Sequence, residues 1–375
     1  LTAPLLMDVN LFYQEVPGVR RPINGFPISI FDIPFLTLIG LWFLRLSVNQ
    51  WAKVRFFPNF TIPYLAWTFL VLLSLASAGN VPSLVGVAVI WSMFKNWLIF
   101  LFLANNVNDQ KTLFLAIGLF LLGGLFQSGI GLLQLVAGSD LSLGILGENA
   151  RRAVFVMRSG AGAVSRVSGT MGHPNQLAIF LGPLIPVAFA LLLVPGWYRG
   201  KGILVVILLG TVLGHLLTYS RGGYLSLAFA MLITASWCLA KRIKRPVASV
   251  VIVAATAVVL AVMVLAAVSS VRQRLFEEDY GAAYLRLPLS QVALNMIRYH
   301  PWLGVGPTNF VAVGHSYDLT PMAVTWEFPA PVHNELLLIA SETGLPAFIL
   351  FMYIYIWRQI ILARAAMVST TPRLA

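Results

Sequence analysis

ILVVILLGTVLGHLLTYSRGGYLSLAFAMLITASWCLA, residues 203–240, is the stretch that decides the fold. As one continuous helix it would run about 57 Å at 1.5 Å per residue, nearly twice a hydrocarbon core of about 30 Å. It must therefore fold back, and Ser220-Arg221-Gly222-Gly223 supplies the turn. Two membrane-spanning helices result, and Arg221 is placed at a membrane surface.

Working outward, apolar runs of similar length recur along most of the chain. Of its 375 residues 59% are hydrophobic and 10% are charged, and the mean hydropathy is +0.85. This is far from the quarter-charged mixture of soluble domains. We read an all-α, polytopic helical bundle with nine spans near 28–46, 61–79, 84–104, 112–137, 175–194, 203–219, 222–240, 247–268 and 334–357. All of residues 1–375 then form one membrane domain. The first residue is Leu and no charged segment precedes it, so we expect a start to be missing; the end at Pro372-Arg373-Leu374-Ala375 also reads as clipped. The single cysteine, Cys238, offers neither a disulfide framework nor a cysteine metal site.

Orientation follows from basic residues in short loops, which stay cytoplasmic. Lys53 and Arg55, Arg199 and Lys201, the cluster Lys241-Arg242-Lys244-Arg245, and Arg358 with Arg364 all fall on one side of the nine-span arrangement. The SRGG turn, a first long loop over 138–174, a larger loop over 269–332 and the mouth of the helix beginning at His333 then face outward. These outward loops are themselves basic: Arg151, Arg152, Arg158 and Arg166 in the first, Arg272, Arg274, Arg286 and Arg298 in the second beside the acidic run Glu277-Glu278-Asp279. Long loops cross regardless of charge, which is one explanation. The other is an anionic ligand, since guanidinium forks match phosphate oxygens. The net charge of +12 suits the positive-inside bias and anionic membrane lipids, and nothing resembles a nucleic-acid module.

The outward segments carry the chemistry-bearing residues. In PVHNELLLIASETGLPAF, residues 331–348, His333 follows Pro329-Ala330-Pro331 and opens a helix. A neutral imidazole there could take a proton from a hydroxyl, or could simply cap the helix and bond to a neighbouring loop. Asn334 and Glu335 lie above Ser341 and Glu342 on a 3.6-residue period, a polar seam facing away from lipid, with the glutamates read as ties between helices. Gly344 and Pro346 are placed to loosen or bend the helix below. Arg221 has no carboxylate nearby in sequence, and the adjacent Gly222-Gly223 suits a close backbone approach better than simple snorkelling. In RVSGTMGHPNQLAIFL, residues 166–181, Gly169 and Gly172 allow a compact bend and Pro174 suits a first helical turn. His173 and Asn175 most simply satisfy backbone groups there. With Arg166 and Asn334 they complete the candidate substrate-binding residues. No phosphate loop, HExxH, Cys/His metal spacing or GxSxG elbow is found, so arginine rather than a metal is the charge neutraliser this sequence offers.

Taken in order, RVSGTMGHPNQLA, TYSRGG, HPWLGVGPTNF (300–310) and HNELLLIASETGLPAF resemble the O-antigen ligase and polymerase superfamily of bacterial envelope enzymes. The resemblance covers about residues 28–357. It implies a multi-pass glycosyltransferase of the bacterial inner membrane with GT-C-like architecture, active at the periplasmic face without a nucleotide sugar, metal or other cofactor. The donor would be a glycan on undecaprenyl diphosphate, and the acceptor either the lipid A core or another carrier-linked glycan. It also implies that Arg221, Arg286 and His333 are the catalytic residues. The arginines would hold the diphosphate and His333 would act as base, the three segments meeting at the outer leaflet. The usual helices after the His span are mostly missing from the sequence. A transporter is the rival reading, disfavoured because no internal repeat is visible; a non-catalytic assembly subunit is another.

Overall fold

The computed structural model describes residues 8–15, 23–29, 32–48, 54–78, 84–143, 154–159, 162–194, 200–243, 247–255, 257 and 282–368. They are overwhelmingly helical, with two two-stranded sheets, Asp8–Glu15 with Ile23–Ser29 (β1, β2) and the antiparallel pair Val154–Ser159 with Gly162–Val167 (β3, β4). Among the described residues, six helices are long and apolar enough to cross a membrane: Pro58–Ser77, Leu84–Asn106, Gln110–Ala137, Pro174–Leu192, Arg221–Lys241 and Glu335–Ala366. The span expected at 203–219 is the shorter apolar helix Lys201–Leu217, about 25 Å long. The first expected span is the 17-residue helix Asp32–Val48. Most of the span expected at 247–268 lies outside the described residues, so the count of nine is not reached among them. The chain groups into two compact units, one of Leu1–Asp8 with Asp109–Asp279, the other of Val9–Asn108 with Tyr280–Ala375.

The first unit is built on α4 (Gln110–Ala137), opened by an Asp109 cap on the Thr112 amide at 2.8 Å and closed by Gly138 at φ 65°. Its inner face and α5 (Pro174–Leu181), α6 (Leu184–Leu192) and α7 (Lys201–Leu217) enclose a core of Leu121, Val167, Met171, Leu177, Leu181, Leu184, Ala188, Leu204 and Ile207. α4 and α7 approach closely because the contact residues are small; a methyl on Gly214 would overlap Ser128. The expected span 175–194 is interrupted at Gly182-Pro183, where proline has no N–H to continue the ladder. α8 (Arg221–Ile243) packs against α5 and α6.

In the second unit α1 (Asp32–Val48) and α3 (Leu84–Asn106) bury Phe35, Ile39, Trp42, Leu98 and Leu101, and a buried Lys95–Asp32 ion pair ties them. Sequence reading passed over that pair. Residues 282–332, expected as loop, instead hold α9 (Ala282–Tyr299) and short turns at Phe310–Val313, Gly314–Tyr317 and Val324–Glu327. These close a core of their own around Leu289, Val292, Ala293, Met296, Val305, Phe310, Val324 and Val332.

α10 (Glu335–Val368) packs along α2 (Pro58–Ser77), with the Trp67 and Phe351 rings 5.3 Å apart. At 34 residues it would be about 51 Å long if straight. It breaks at Gly344, φ 81° and ψ 166°, backbone that essentially only glycine adopts. The HPWLGVGPTNF stretch fills the break. The Leu345 amide donates to the Pro301 carbonyl at 2.8 Å, the Val305 and Gly306 amides donate to the carbonyls of Ser341 (3.1 Å) and Glu342 (2.9 Å), and Ser74 Oγ also donates to the Glu342 carbonyl (2.8 Å). A methyl on Gly344 would overlap the Trp302 carbonyl. Gly344→Ala is therefore expected to destabilise by about 3 kcal/mol, from backbone strain plus the clash. Gly118→Ala in α4, where a methyl meets nothing within 4 Å, should not lower stability. Thermal unfolding of both variants in detergent checks the contrast.

Candidate active site

In the first unit the fold-back is tighter than the sequence suggested. α7 ends at Leu217 and α8 starts at Arg221, leaving Thr218–Ser220 as the connection. The strained residue is Tyr219, at φ 47°, rather than either glycine. Ser220 caps α8, its Oγ accepting from the Gly223 amide at 3.2 Å. Gly223 is needed for packing, since a methyl there would lie 2.9 Å from Ala178 Cβ, whereas Gly222 has nothing within 4 Å. Arg221 is thus the first residue of a 23-residue helix, half-buried.

The turn is gripped from the other side of the unit. Arg166, 7% exposed at the end of β4, donates from Nε to the Thr218 carbonyl at 2.7 Å and from Nη2 to Asn175 Oδ1 at 2.9 Å. His173 caps α5, its Nδ1 accepting from the Asn175 amide at 3.1 Å. The candidate substrate-binding residues in RVSGTMGHPNQ therefore contact one another and, through Arg166, the Thr218–Ser220 connection. Behind them, two buried glutamines of α4 hold the following bend. Gln134 Oε1 accepts from the Ser168 and Gly169 amides (3.4 and 3.0 Å) and its Nε2 donates to the Gly169 carbonyl (2.8 Å). Gln127 Oε1 accepts from the Thr170 amide (2.9 Å) and its Nε2 donates to Thr170 Oγ1 (2.7 Å). Sequence reading missed both glutamines; the signal was there, two amides seven residues apart on one face of an apolar span. It also missed His215, wholly buried one turn before the fold-back.

In the second unit His333 sits exposed in the bend before α10, and no described residue hydrogen-bonds its ring. Asn334 caps the helix, its Oδ1 accepting from the Leu336 and Leu337 amides at 3.0 and 3.2 Å. Of the expected polar seam, Asn334 and Glu335 are exposed while Ser341 is buried. Glu342 is a tie: its carboxylate accepts from the Thr308 and Phe310 amides at 2.9 and 3.0 Å, pinning the 300–310 stretch to the α10 break. His333 is consequently separated from the segment Leu345–Val368 by a helix of nine residues, rather than standing directly at the top of an unbroken span.

Arg286 is exposed on α9, as is Arg298; Arg272, Arg274, the acidic run 277–279, Arg151 and Arg152 lie outside the described residues. Between α9 and His333, Asp318 gathers the amides and hydroxyls of Thr320 and Thr325. Burial works against its charge, but those four donors outweigh it and hold the carboxyl below its ordinary range. His300 Nε2 and the Tyr317 hydroxyl lie 2.7 Å apart nearby.

Residues 203–352 match the family described as O-antigen ligase. No curated protein and no solved structure gives a match. The matched stretch runs from α7 into α10 and contains Arg221, Arg286 and His333 together with the HPWLGVGPTNF filling of the helix break. That segment is thus similar to the O-antigen ligase family, and the multi-span helical bundle in which it is set agrees with the O-antigen ligase and polymerase superfamily.

Proposed function

We propose that this protein transfers a glycan from an undecaprenyl diphosphate carrier to an acceptor hydroxyl at the periplasmic face of the bacterial inner membrane, the lipid A core being the acceptor. The observation that carries this reading is the placement of Arg221. A cation at a helix N-terminus faces the positive end of the dipole and is disfavoured there by about 0.3–1 kcal/mol. The same place suits an anion, to which a helix N-terminus and a guanidinium contribute together.

Cleavage of the glycosyl phosphate bond leaves charge on the departing diphosphate, and cations fixed in advance stabilise it. Arg221 and Arg286 take that role. His333, exposed and with Asn334 engaged in capping, accepts the proton of the attacking hydroxyl. The acceptor oxygen bonds to the anomeric carbon as the carbon–oxygen bond to phosphate breaks, its electron pair leaving with the diphosphate. One displacement of this kind inverts the anomeric centre, and the chain's own cations suffice without a metal or nucleotide.

The test is reconstitution in liposomes with a defined undecaprenyl diphosphate glycan, offering lipid A core and a carrier-linked glycan side by side. Glycosylated lipid A core is the expected product. Extension of the carrier-linked glycan alone would make the protein a polymerase. Movement of the donor across the bilayer with no product would make it a transporter.

A further inference from the structure

We infer that Arg166 is a positioning residue for Arg221, resting on the reading of Arg221 as a donor-binding cation. The fold-back before Arg221 lacks regular helical bonding: Thr218–Ser220 join two helices, with Tyr219 in left-handed backbone. A backbone in that region persists only where its surroundings hold it. Arg166 is what reaches it. Its Nε hydrogen-bonds the Thr218 carbonyl at the C-terminal end of α7, where helix carbonyls concentrate negative partial charge, and Asn175 orients the other arm of the fork. This guanidinium is met by the carbonyl oxygen of Thr218 and the amide oxygen of Asn175.

A fork can hold a turn only if its own origin is fixed, and here it is. Arg166 leads into Val167, Ser168, Gly169 and Thr170, of which Val167, Ser168 and Thr170 are fully buried and the last three are clasped by Gln127 and Gln134 of α4. Gly169 takes φ 58° and leaves no room for a methyl against Gln127. A line of hydrogen bonds thus runs from α4 through the 168–170 bend and Arg166 to the residue three before Arg221. The rest of the fork's geometry is planar and two-pronged, which lysine cannot reproduce although it keeps the charge.

The experiment compares initial transfer rates of reconstituted wild type, Arg166→Lys, Arg221→Ala and the double variant, at equal amounts of protein that elutes as folded monodisperse material. Arg166→Lys is expected to reduce the rate by about 10²-fold, the scale that a small misplacement of a reacting or binding group costs. Added to Arg221→Ala it should reduce the rate no further, because the residue it positions is already gone. Losses that multiply would make Arg166 a direct contact of the donor, and a wild-type rate in Arg166→Lys would make it dispensable; either overturns the inference. A wild-type rate in Arg221→Ala would instead remove the reading on which it rests. Should Arg166→Lys not fold, Asn175→Ala, which deletes one arm's partner and leaves the Thr218 bond, is measured in the same cycle, with a smaller loss and the same absence of additivity expected.

Discussion

His333→Ala is expected to lower transfer by about 10²–10⁴-fold, the usual contribution of a positioned general base, while donor binding is kept. The reasoning is geometric. The backbone before His333 is set by Pro329 and Pro331, and the helix after it is capped by Asn334 rather than by the imidazole. The ring is exposed and its nitrogens are uncommitted to described neighbours. Removing it takes away no packing, so folding and thermal stability should match wild type. Retention of the radiolabelled carrier glycan on the purified variant, with product formation followed in the same sample, separates base loss from binding loss. A transfer rate within a few fold of wild type would assign the proton to another group.

Arg221→Ala is expected to cost about 10²–10³-fold in rate, as for loss of one preorganised donor to a developing anion. Arg221→Lys should recover only part of it, since an ammonium restores charge without the two-pronged contact. Half-buried at the first turn of α8, the side chain adds little to the core of its unit, which is formed by α4 to α7. Stability should therefore change little, and the loss should appear as rate. Full transfer by Arg221→Lys would eliminate the bidentate diphosphate contact.

How much of this was legible beforehand differs by element. Length against bilayer thickness placed the reversal between α7 and α8, because that argument needs no partner residues. It did not assign the strain, which lies on Tyr219, and it credited Gly222 with a close approach that belongs to Gly223 alone. The weak point at Gly344 was visible from Gly344 and Pro346. What enters the break was not, since the pairing of Pro301 with Leu345 joins residues far apart in sequence. The basic stretch 269–332 read as a loop because helix α9 carries Pro288 and exposed Arg286, Gln291 and Arg298, and only its packing on Val305, Phe310 and Val324 makes it a core element. Residue type suggests His173 and Asn175 as satisfying backbone groups at the start of α5, as His173 does, and Arg166 as a guide for phosphate or core groups. Their mutual hydrogen bonds depend on where β4 ends and α5 begins, which periodicity does not give.

The interlock at Gly344 also has a bearing on how such a protein diversifies. Glu342 and the Ser341 carbonyl clamp one end of a stretch at Val305–Phe310, so the chain from Phe310 to Ser341 is a loop closed by hydrogen bonds at its base. Doubling the length of a closed loop costs only about 0.6 kcal/mol in chain entropy. Changes at exposed positions such as Trp326 and Phe328 can thus accumulate while the clamp stays shut, whereas the buried Val324 and the Asp318 cluster stay fixed. Changes there are then absorbed without retuning the part of the unit that holds the membrane helix.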